Sequence, residues 1–353
     1  MPVVVLATAG RLETLTGGSV YNRRMAEALR RLAWRVDVVE LDGTFPEPDD
    51  AARAAADAAF AALPDGSLVL ADGLALSALP DVVSTHGGRL RVVALVHLPV
   101  AAAPGLDAAA AARLAEAERR ALAGVSAIVV TGPGALPLLR PYGIQAADVA
   151  MVEPGVDPAP PAGGSTDGDV HLLTVATVNA GKGHDVLLDA LARIELERGG
   201  AAPPWRLTCV GSLTRDADTA RRVQEQSRRL GLQARVTFTG ELRDAALDRA
   251  WHAADVFVLA SRRETYGMAV AEAVARALPV VGTDTGAIPL LVAGGAGLVV
   301  PPGDVAALAG ALARVVTDAS CRARLRSAAA TIARGLPTWD EAAARMASVL
   351  GGV

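Results

Sequence analysis

Lysine and cysteine are scarce in this sequence. Of its 34 basic residues only Lys182 is a lysine and the rest are arginines, a bias typical of a GC-rich genome. Arginine cannot replace lysine where a compact point charge is needed, so the one remaining lysine marks a candidate site. The two cysteines, Cys209 and Cys321, are too few for a disulfide framework and lack zinc-site spacing. We interpret both as buried free thiols of a reducing compartment.

Long hydrophobic runs are missing as well. The longest candidate, Val92–Leu106, is interrupted by His97, Pro99 and Pro104, and no run reaches the roughly 18 apolar residues of a membrane span. The first residues lack the basic segment and apolar core of a signal peptide. We therefore expect a cytoplasmic protein, or at most a peripheral one on the inner membrane face.

An excess of basic charge is also absent. The formal net charge is −4, and division after Asp157 leaves 13 basic and 18 acidic residues in the first part and 21 and 20 in the second. Neither half resembles a domain that neutralises a phosphate backbone, so we expect no nucleic-acid partner.

Apolar runs alternate with helical patterns along the chain. The predicted strands are Val3–Thr8, Val36–Leu41, Leu68–Leu70, Val92–Val96 and Ala127–Val130, then Leu172–Ala176, Arg206–Val210, Val236–Thr239, Val256–Leu259, Pro279–Gly282 and Gly297–Val300. Such alternation predicts parallel sheets covered by helices on both faces. The segment 154–169, rich in proline, glycine and aspartate, divides the two series and predicts a linker. With 353 residues, we expect two doubly wound domains facing across an interdomain cleft, where ligands bind.

The densest candidate site is SRRETYGMAVAEA, residues 261–273. A helix starting near Gly267 would present free backbone N–H groups to a phosphate. Glu264 would lie in the loop and Glu272 one turn into the helix, flanking a nucleotide sugar with carboxylates that bind hydroxyl groups. Alternatively, Glu264 is a cap-region carboxylate that the helix dipole favours and Glu272 a solvated helical residue.

Lys182 lies in a second candidate site, TVATVNAGKGHDVLLDAL, residues 174–191. The loop is not a Walker A motif, because Gly183 occupies the serine or threonine position and Ala176 that of the first glycine. Lys182 could still reach a phosphate oxygen as a point charge. The alternative is an ordinary exposed loop lysine.

Two weaker signals lie in the first half. The segment TGGSVYN, residues 16–22, starts a helix after the first strand but lacks the GxGxxG fingerprint, so it also fits a simple turn. His97 follows a predicted strand at the edge where ligands bind, although an isolated histidine is often structural. The other histidines lack metal-binding spacing, and we expect neither the pair Asp167 and Asp169 nor the pair Asp216 and Asp218 to hold a metal ion.

These motifs together resemble the retaining family 4 glycosyltransferases of GT-B fold. The specific matches are the S-x-x-E-x-Y-G-x-x-x-x-E string with the residues that follow it (261–292), the segment GAGLVVPPGDVAALAGAL (295–312), and the K-G-x-x-x-L-L-x-A-L segment from Lys182. The amino-terminal Gly-Gly loop matches more loosely. The resemblance implies an acceptor-side domain at 1–157, a linker at 158–168, a donor domain at 169–336 and a helix at 337–353 that crosses back to the first domain.

The resemblance also implies roles for individual residues. Glu264 would bind hydroxyls of the donor sugar, Glu272 the ribose and Lys182 the phosphates, while His97 would lie beside the transferred sugar. The expected catalytic residues are thus His97, Lys182 and Glu264. The expected substrate-binding residues are Gly17, Gly18, Thr177, Gly240, Leu242, Arg262, Arg263, Tyr266, Gly267, Met268, Ala269 and Glu272.

One departure from the family pattern concerns Thr177. Many members carry an arginine at this position, so the missing charge would come from Arg262 or Arg263, or the phosphates would rely on Lys182 alone.

The implied activity is transfer of a hexose-type sugar from a UDP- or GDP-linked donor, in a bacterial cytoplasm. It would proceed with retention and need neither a metal ion nor a further cofactor. The acceptor would be a small molecule, a glycan or a lipid-linked compound. A nucleotide-sugar epimerase and a non-catalytic nucleotide-sugar-binding partner remain alternatives. The basic segment 21–36 could lie on anionic lipid, but we favour a helix packed on the sheet.

Overall fold

The structure, a computed structural model, describes residues 1–198 and 204–353. Their Cα positions separate into two compact units. The first unit consists of Met1–Gly155 together with Pro337–Val353, and the second of Val156–Leu336.

The first unit alternates strands with helices, as its apolar runs predict. Its strands are β1 (Val3–Ala9), β2 (Arg35–Leu41), β3 (Leu68–Asp72), β4 (Arg91–Val96), β5 (Ala127–Val130) and β6 (Val149–Met151). The helices between them are α1 (Gly17–Arg31), α2 (Asp50–Ala61), α3 (Gly73–Leu76), α4 (Pro80–His86), α5 (Ala108–Ala123) and α6 (Leu136–Leu139). The predictions missed β6, a strand of three residues that is too short to show a hydrophobic pattern.

In the part of this unit that the structure describes, the strands form one parallel sheet of order β2-β1-β3-β4-β5-β6. Val92, Val93, Ala94, Leu95 and Val96 of β4 have no exposed surface, which explains why this strand is a continuous apolar run. The strand order reverses between β1 and β3, so a switch point lies where these two strands end.

The second unit repeats the alternation. Its strands are β7 (Val170–Val175), β8 (Trp205–Val210), β9 (Val236–Gly240), β10 (Val256–Leu259), β11 (Val280–Thr283) and β12 (Gly297–Val300). The helices are α7 (His184–Arg198), α8 (Ala217–Arg229), α9 (Asp244–Ala253), α10 (Met268–Ala275), α11 (Ile288–Leu291), α12 (Val305–Thr317) and α13 (Ala319–Ala333). Within the described residues the sheet order is β12-β11-β10-β7-β8-β9, parallel throughout, with its switch point between β7 and β10.

The segment predicted as a linker, 158–168, is packed onto the second unit. Ala162 is 4% exposed, and its N–H donates to Arg276 O at 2.8 Å. Gly164 N donates to His252 O at 2.9 Å, and Ser165 N donates to Asp255 Oδ1 at 3.2 Å. Residues 158–168 form neither helix nor strand. Three of their backbone N–H groups are satisfied instead by hydrogen bonds to the second unit.

The last helix, α14 (Trp339–Gly351), belongs to the first unit. A capping box between Thr338 and Glu341 starts it. The Trp339 ring meets the Tyr21 ring edge-on, with 5.6 Å between centroids. A Cβ on Gly155 would lie 2.2 Å from Trp339 N. The start of α14 can therefore pass this close only because residue 155 is a glycine.

Helix α1 packs its apolar face into the first unit, where Tyr21, Met25 and Leu29 are buried. Its arginines are partnered inside the protein: Arg31 Nη2 lies 2.6 Å from Asp340 Oδ1, and Arg23 Nη1 lies 3.3 Å from Glu13 Oε2. This arrangement is that of a helix packed on its own sheet, the interpretation favoured above. No helix in the described ranges combines the length and the apolarity needed to cross a membrane.

Candidate functional site

Lys182 and Glu264, far apart in sequence, are brought together in the second unit. Lys182 follows β7 and Glu264 follows β10, the two strands that flank the switch point. Lys182 Nζ donates to Glu264 Oε1 at 2.6 Å, and Ser261 Oγ donates to the same oxygen at 2.7 Å. Glu264 Oε2 accepts no hydrogen bond from the residues described, so it remains available to a ligand hydroxyl.

The loop that carries Lys182 is shaped by Gly183. This residue has φ +65°, and a Cβ there would lie 2.0 Å from Ala260 O. Only glycine allows the loop to pass this close to the end of β10. Arg262 N donates to Gly181 O at 2.8 Å, which joins the two loops through their backbones.

The side chain of Arg262 strengthens this connection. Its Nη1 donates to Ala180 O at 3.0 Å, and its guanidinium binds Asp185 with both Nη atoms, at 2.8 and 2.6 Å. The pKa of Asp185 is lowered by the hydrogen bond and the charge of Arg262, which outweigh the raising effect of partial burial. Arg262 therefore holds the Lys182 loop in place. Its predicted contact with phosphate stays a prediction, as does that of Arg263.

The start of α10 offers backbone donors, as the sequence predicts. Gly267 precedes the helix with φ +103°, and the N–H groups of Met268 and Ala269 meet no acceptor among the described residues. A Cβ on Gly286 would lie 2.6 Å from Glu264 O, so the loop after β11 closes tightly over the Glu264 segment. Glu264 is thereby held three residues before Gly267, the residue that caps this helix.

The other predicted donor-binding residues lie at the same edge of this sheet, but their side chains differ in exposure and packing. Tyr266 is 5% exposed and packs into the apolar core, whereas Glu272 on α10 is half-buried. Gly240 ends β9, and its carbonyl accepts from Gly211 N at 2.9 Å. Leu242 packs against the apolar core. Their contacts with a ligand remain predictions.

Thr177 lies in the loop after β7, and its neighbours are tied to the loop after β8. Val178 N donates to Ser212 O at 3.1 Å, and a Cβ on Gly211 would lie 2.0 Å from Ala176 O. The close packing of these two loops fixes the backbone at Thr177, which brings no charge to this edge.

His97 follows β4 in the first unit, where the sequence predicts it. Its Nε2 lies 2.9 Å from Asn22 Oδ1, and Asn22 Nδ2 donates to Asp72 Oδ2 at 2.7 Å. The ring meets Tyr21 edge-on at 5.1 Å, and a Cβ on Gly18 would lie 3.0 Å from His97 Cδ2. Gly18, predicted for close approach to a ligand, thus also makes room for this imidazole, while a Cβ on Gly17 would meet open space.

Burial lowers the pKa of His97, and the negative charge of Asp72 offsets only part of this effect. The imidazole is therefore neutral near pH 7. The sequence pattern alone assigns no role to Asn22 or Asp72. A signal exists for Asp72, because this residue ends a strand that is otherwise entirely apolar.

Glu118, on α5, is a second buried group that the sequence analysis missed. Its side chain has no exposed surface and accepts hydrogen bonds from Val100 N, Ser77 Oγ and Tyr142 Oη at 3.0, 3.0 and 2.7 Å. Burial raises its pKa despite these donors. Glu118 holds the 3₁₀ turn Val100–Ala102, three residues after His97, against the body of the first unit.

His184 directly follows Gly183 at the start of α7. It is 3% exposed, and neither ring nitrogen has a hydrogen-bond partner in the part of the chain that the structure describes. Burial, together with the nearby positive charge of Lys182, lowers the pKa of His184 to about 4. This imidazole is therefore a neutral part of the core beneath the loop. Within the ranges described, no group of three His, Cys, Asp or Glu residues could hold a metal ion.

Comparison with known proteins identifies the class to which this geometry belongs. A family model described as Glycosyltransferase Family 4 matches residues 15–160, and one described as Glycosyl transferases group 1 matches residues 169–318. The chain therefore belongs to the family 4-type glycosyltransferases, and its two α/β units have the GT-B fold, which confirms the predicted family and fold class.

Individual relatives support the same class. A D-inositol 3-phosphate glycosyltransferase from Stackebrandtia nassauensis is 33% identical over 207 residues, 55% of this chain and 46% of the relative. The alignments with the curated relatives thus span about half of their length. Among solved structures, sucrose-phosphate synthase from Thermosynechococcus elongatus has a TM-score of 0.84 at 22% identity, covering 100% of this chain and 99% of its own.

Anabaena HepE, solved in complex with UDP-glucose, has a TM-score of 0.78 at 19% identity over 99% of this chain and 100% of its own. At these identities the two structural likenesses establish the fold.

Proposed function

We propose that this chain transfers a hexose-type sugar from a nucleotide-sugar donor to a hydroxyl acceptor, with retention at the anomeric carbon and without a metal ion. The observation that carries the proposal is the pair of Lys182 Nζ and Glu264 Oε1, 2.6 Å apart at the switch point of the second sheet. This edge of the sheet also holds the N–H groups at the start of α10, which have no acceptor among the residues that the structure describes. A cation, a carboxylate and helix amides are the groups that a sugar diphosphate requires.

In the proposed complex, each group has a distinct role. Lys182 and the amides of Met268 and Ala269 bind the donor phosphates and stabilise the charge that develops on the leaving group. Glu264 accepts a hydrogen bond from a sugar hydroxyl at Oε2, because Oε1 already accepts from Lys182 and Ser261. Glu272 binds the ribose.

The proposed transfer is a front-face substitution. The bond between the anomeric carbon and the donor phosphate oxygen breaks, and the acceptor oxygen forms its bond on the same face. The acceptor proton passes to the departing phosphate, so no enzyme nucleophile is required.

The names of the relatives suggest which substrates to test first. The structure of HepE contains UDP-glucose, which makes UDP the first nucleotide and glucose the first sugar to test. The Stackebrandtia relative is named for D-inositol 3-phosphate, which makes a phosphorylated polyol the first acceptor. We do not favour a membrane-bound acceptor, because the apolar face of α1 is buried and its arginines Arg23 and Arg31 form ion pairs within the protein.

Calorimetric titration with UDP, GDP and ADP tests the donor site. We expect one nucleotide to bind, and Glu272→Ala to weaken its binding by about tenfold, the effect of losing a charged hydrogen bond. The control is Glu225→Ala, which removes an exposed carboxylate from α8 of the same unit. If none of the three nucleotides binds, the proposed donor site is wrong.

A product assay separates the possible reactions. The chain is incubated with the sugar nucleotide that carries the bound base, with and without D-inositol 3-phosphate, and the products are separated. A glycoside that forms only with acceptor and keeps the donor's anomeric configuration supports the proposal. An epimer of the donor formed without acceptor identifies an epimerase, and binding without any turnover of a panel of acceptors identifies a non-catalytic partner protein.

A further inference from the structure

Three polar side chains form a continuous chain of hydrogen bonds inside the first unit. Asp72 ends β3, Asn22 lies on α1 and His97 follows β4. Both polar side chains at the start of this chain are buried, with Asn22 1% exposed and Asp72 5%. The bond between Asn22 and Asp72 joins the helix that follows β1 to the end of β3, the two strands of the switch point.

The direction of every bond in this chain follows from its Asp72 end. A carboxylate only accepts hydrogen bonds, and Asp72 accepts at both oxygens: from Leu74 N at Oδ1, 2.9 Å, and from Asn22 Nδ2 at Oδ2, 2.7 Å. The Asn22 amide therefore turns its oxygen toward His97. Because an amide oxygen also only accepts, His97 Nε2 must be the donor and must carry the proton.

The other nitrogen of His97 is then a hydrogen-bond acceptor, because a neutral imidazole carries one proton. Nδ1 has no hydrogen-bond partner among the described residues, and it is not fully buried. A lone pair of fixed position is thus accessible on a ring held by Tyr21.

We propose that Asp72 and Asn22 are positioning residues, which keep His97 protonated at Nε2 so that Nδ1 accepts a hydrogen bond from a hydroxyl group of the sugar substrate. The substrate part of this inference rests on the proposed function. The tautomer part is a property of the protein alone, and it can be measured without any substrate.

Asp72→Asn should reverse the direction of the hydrogen bonds from residue 72 to His97. The oxygen of the new amide keeps accepting from Leu74 N, which turns its NH₂ group toward Asn22. Asn22 must then accept with its oxygen and offer its own NH₂ to His97. Nε2 can receive that bond only as an acceptor, so the proton of His97 moves to Nδ1. A change of one side-chain atom thereby exchanges the donor and acceptor nitrogens of a residue two hydrogen bonds away.

The double variant Asp72→Asn with Asn22→Asp should restore the original tautomer. The amide at position 72 donates to the carboxylate at position 22, which accepts again from His97 Nε2. The double variant has the same side chains and the same net charge as the original pair, only exchanged. A general loss of packing would not be repaired by this exchange, so the rescue distinguishes a positioning role from a structural one.

Nitrogen NMR of the ¹⁵N-labelled imidazoles measures the tautomer directly. Spectra are recorded at about pH 8.5, two units above the ordinary histidine pKa, so that the rings are neutral. The His97 signals are identified by their loss in His97→Gln. We expect Nε2–H in the unchanged protein and in the double variant, and Nδ1–H in Asp72→Asn. The control Asp81→Asn, an exposed carboxylate of α4 in the same unit, should leave Nε2–H unchanged.

Turnover of the donor identified by calorimetry tests the link to substrate. We expect Asp72→Asn to lower turnover by about tenfold, the scale of one hydrogen bond, and the double variant to recover most of it. If Nε2–H persists in a folded Asp72→Asn protein, the inferred direction of these hydrogen bonds is wrong. A reversed tautomer with full turnover overturns the role of Nδ1 toward substrate. A protein that turns over no donor contradicts the proposed function, while the NMR result still decides the chain.

Discussion

At the scale of single residues, the candidate functional side chains are held by partners that are far away in the sequence. Lys182 is the only lysine, and its Nζ is held by Glu264 at the end of the neighbouring strand. Sequence composition singled out Lys182, but its partner is 82 residues away and could not be inferred from spacing. The same is true of His97, whose partner Asn22 is 75 residues away.

Replacement of Lys182 tests its proposed electrostatic role. We expect Lys182→Ala to reduce turnover at saturating donor by about 10²-fold or more, because it removes a positioned charge from the leaving phosphate. The control Lys182→Arg keeps the charge in a larger, planar group and should recover part of the lost activity. Turnover is measured by release of the nucleotide. Near-normal turnover of Lys182→Ala would exclude this role.

His184 predicts a pH dependence of stability. Its pKa in the folded protein is about 4, below the unfolded value of about 6.5, so the unfolded chain takes up the proton first. The contribution of neutral His184 to the free energy of unfolding is fully present above pH 6.5, and it is lost as the pH falls toward 4. The loss amounts to about 3 kcal/mol of unfolding free energy at 1.4 kcal/mol per pH unit.

Urea unfolding of His184→Leu between pH 7 and 4 checks this expectation, since the variant should lose about 3 kcal/mol less than the unchanged protein over this range. His252→Gln, which replaces an exposed histidine of the same unit, controls for the loss of one imidazole. Parallel stability curves for His184→Leu and the unchanged protein would contradict the assignment.

At the scale of elements, the candidate site is built from loops that pass very close to one another. Apolar runs predicted the strands before these loops, because a strand buried on both faces is apolar along its whole length. The loops themselves are shaped by distant backbone: Gly183 faces Ala260 O, and Arg262 binds Asp185 across 77 residues. Charge could suggest Arg262 as a phosphate ligand, but only the structure shows that its guanidinium is occupied by Asp185 and Ala180 O.

Two glycine variants separate loop geometry from helix propensity. We expect Gly183→Ala to destabilise the protein by about 2 kcal/mol or more, because the new Cβ meets Ala260 O at 2.0 Å in a left-handed backbone conformation. Gly310→Ala, on an exposed position of α12 with open space around it, should stabilise by about 0.5–1 kcal/mol. Urea unfolding measures both. Equal effects of the two changes would show that close approach at Gly183 is unimportant.

At the scale of the whole molecule, the chain makes two units of the same construction, and its last segment returns to the first. Helix α14 packs on α1 by placing Trp339, 6% exposed, against Tyr21. An exposed ion pair between Arg31 and Asp340 accompanies this packing. The apolar contact should dominate, since exposed ion pairs contribute little.

Variants of α14 test whether the apolar contact or the ion pair holds this helix on α1. We expect Trp339→Ala to destabilise the first unit by about 3–5 kcal/mol through the cavity it leaves. Asp340→Asn, one residue along the same helix, should cost less than about 1 kcal/mol. Unfolding is followed by circular dichroism, which does not depend on tryptophan fluorescence. A larger loss for Asp340→Asn than for Trp339→Ala would mean that charge, and not packing, holds the helix.

The sequence by itself determined the strand series apart from β6, the start of α10 and the two loops that carry Lys182 and Glu264. These features depend on local pattern, since a buried strand is a short continuous apolar run and glycine marks a helix start.

Only the tertiary structure decided that residues 158–168 pack on the second unit, that Asp185 engages Arg262, and that Asp72 directs Asn22 toward His97. Such contacts join residues tens of positions apart. Their distances depend on how whole strands and helices pack, which no local pattern records.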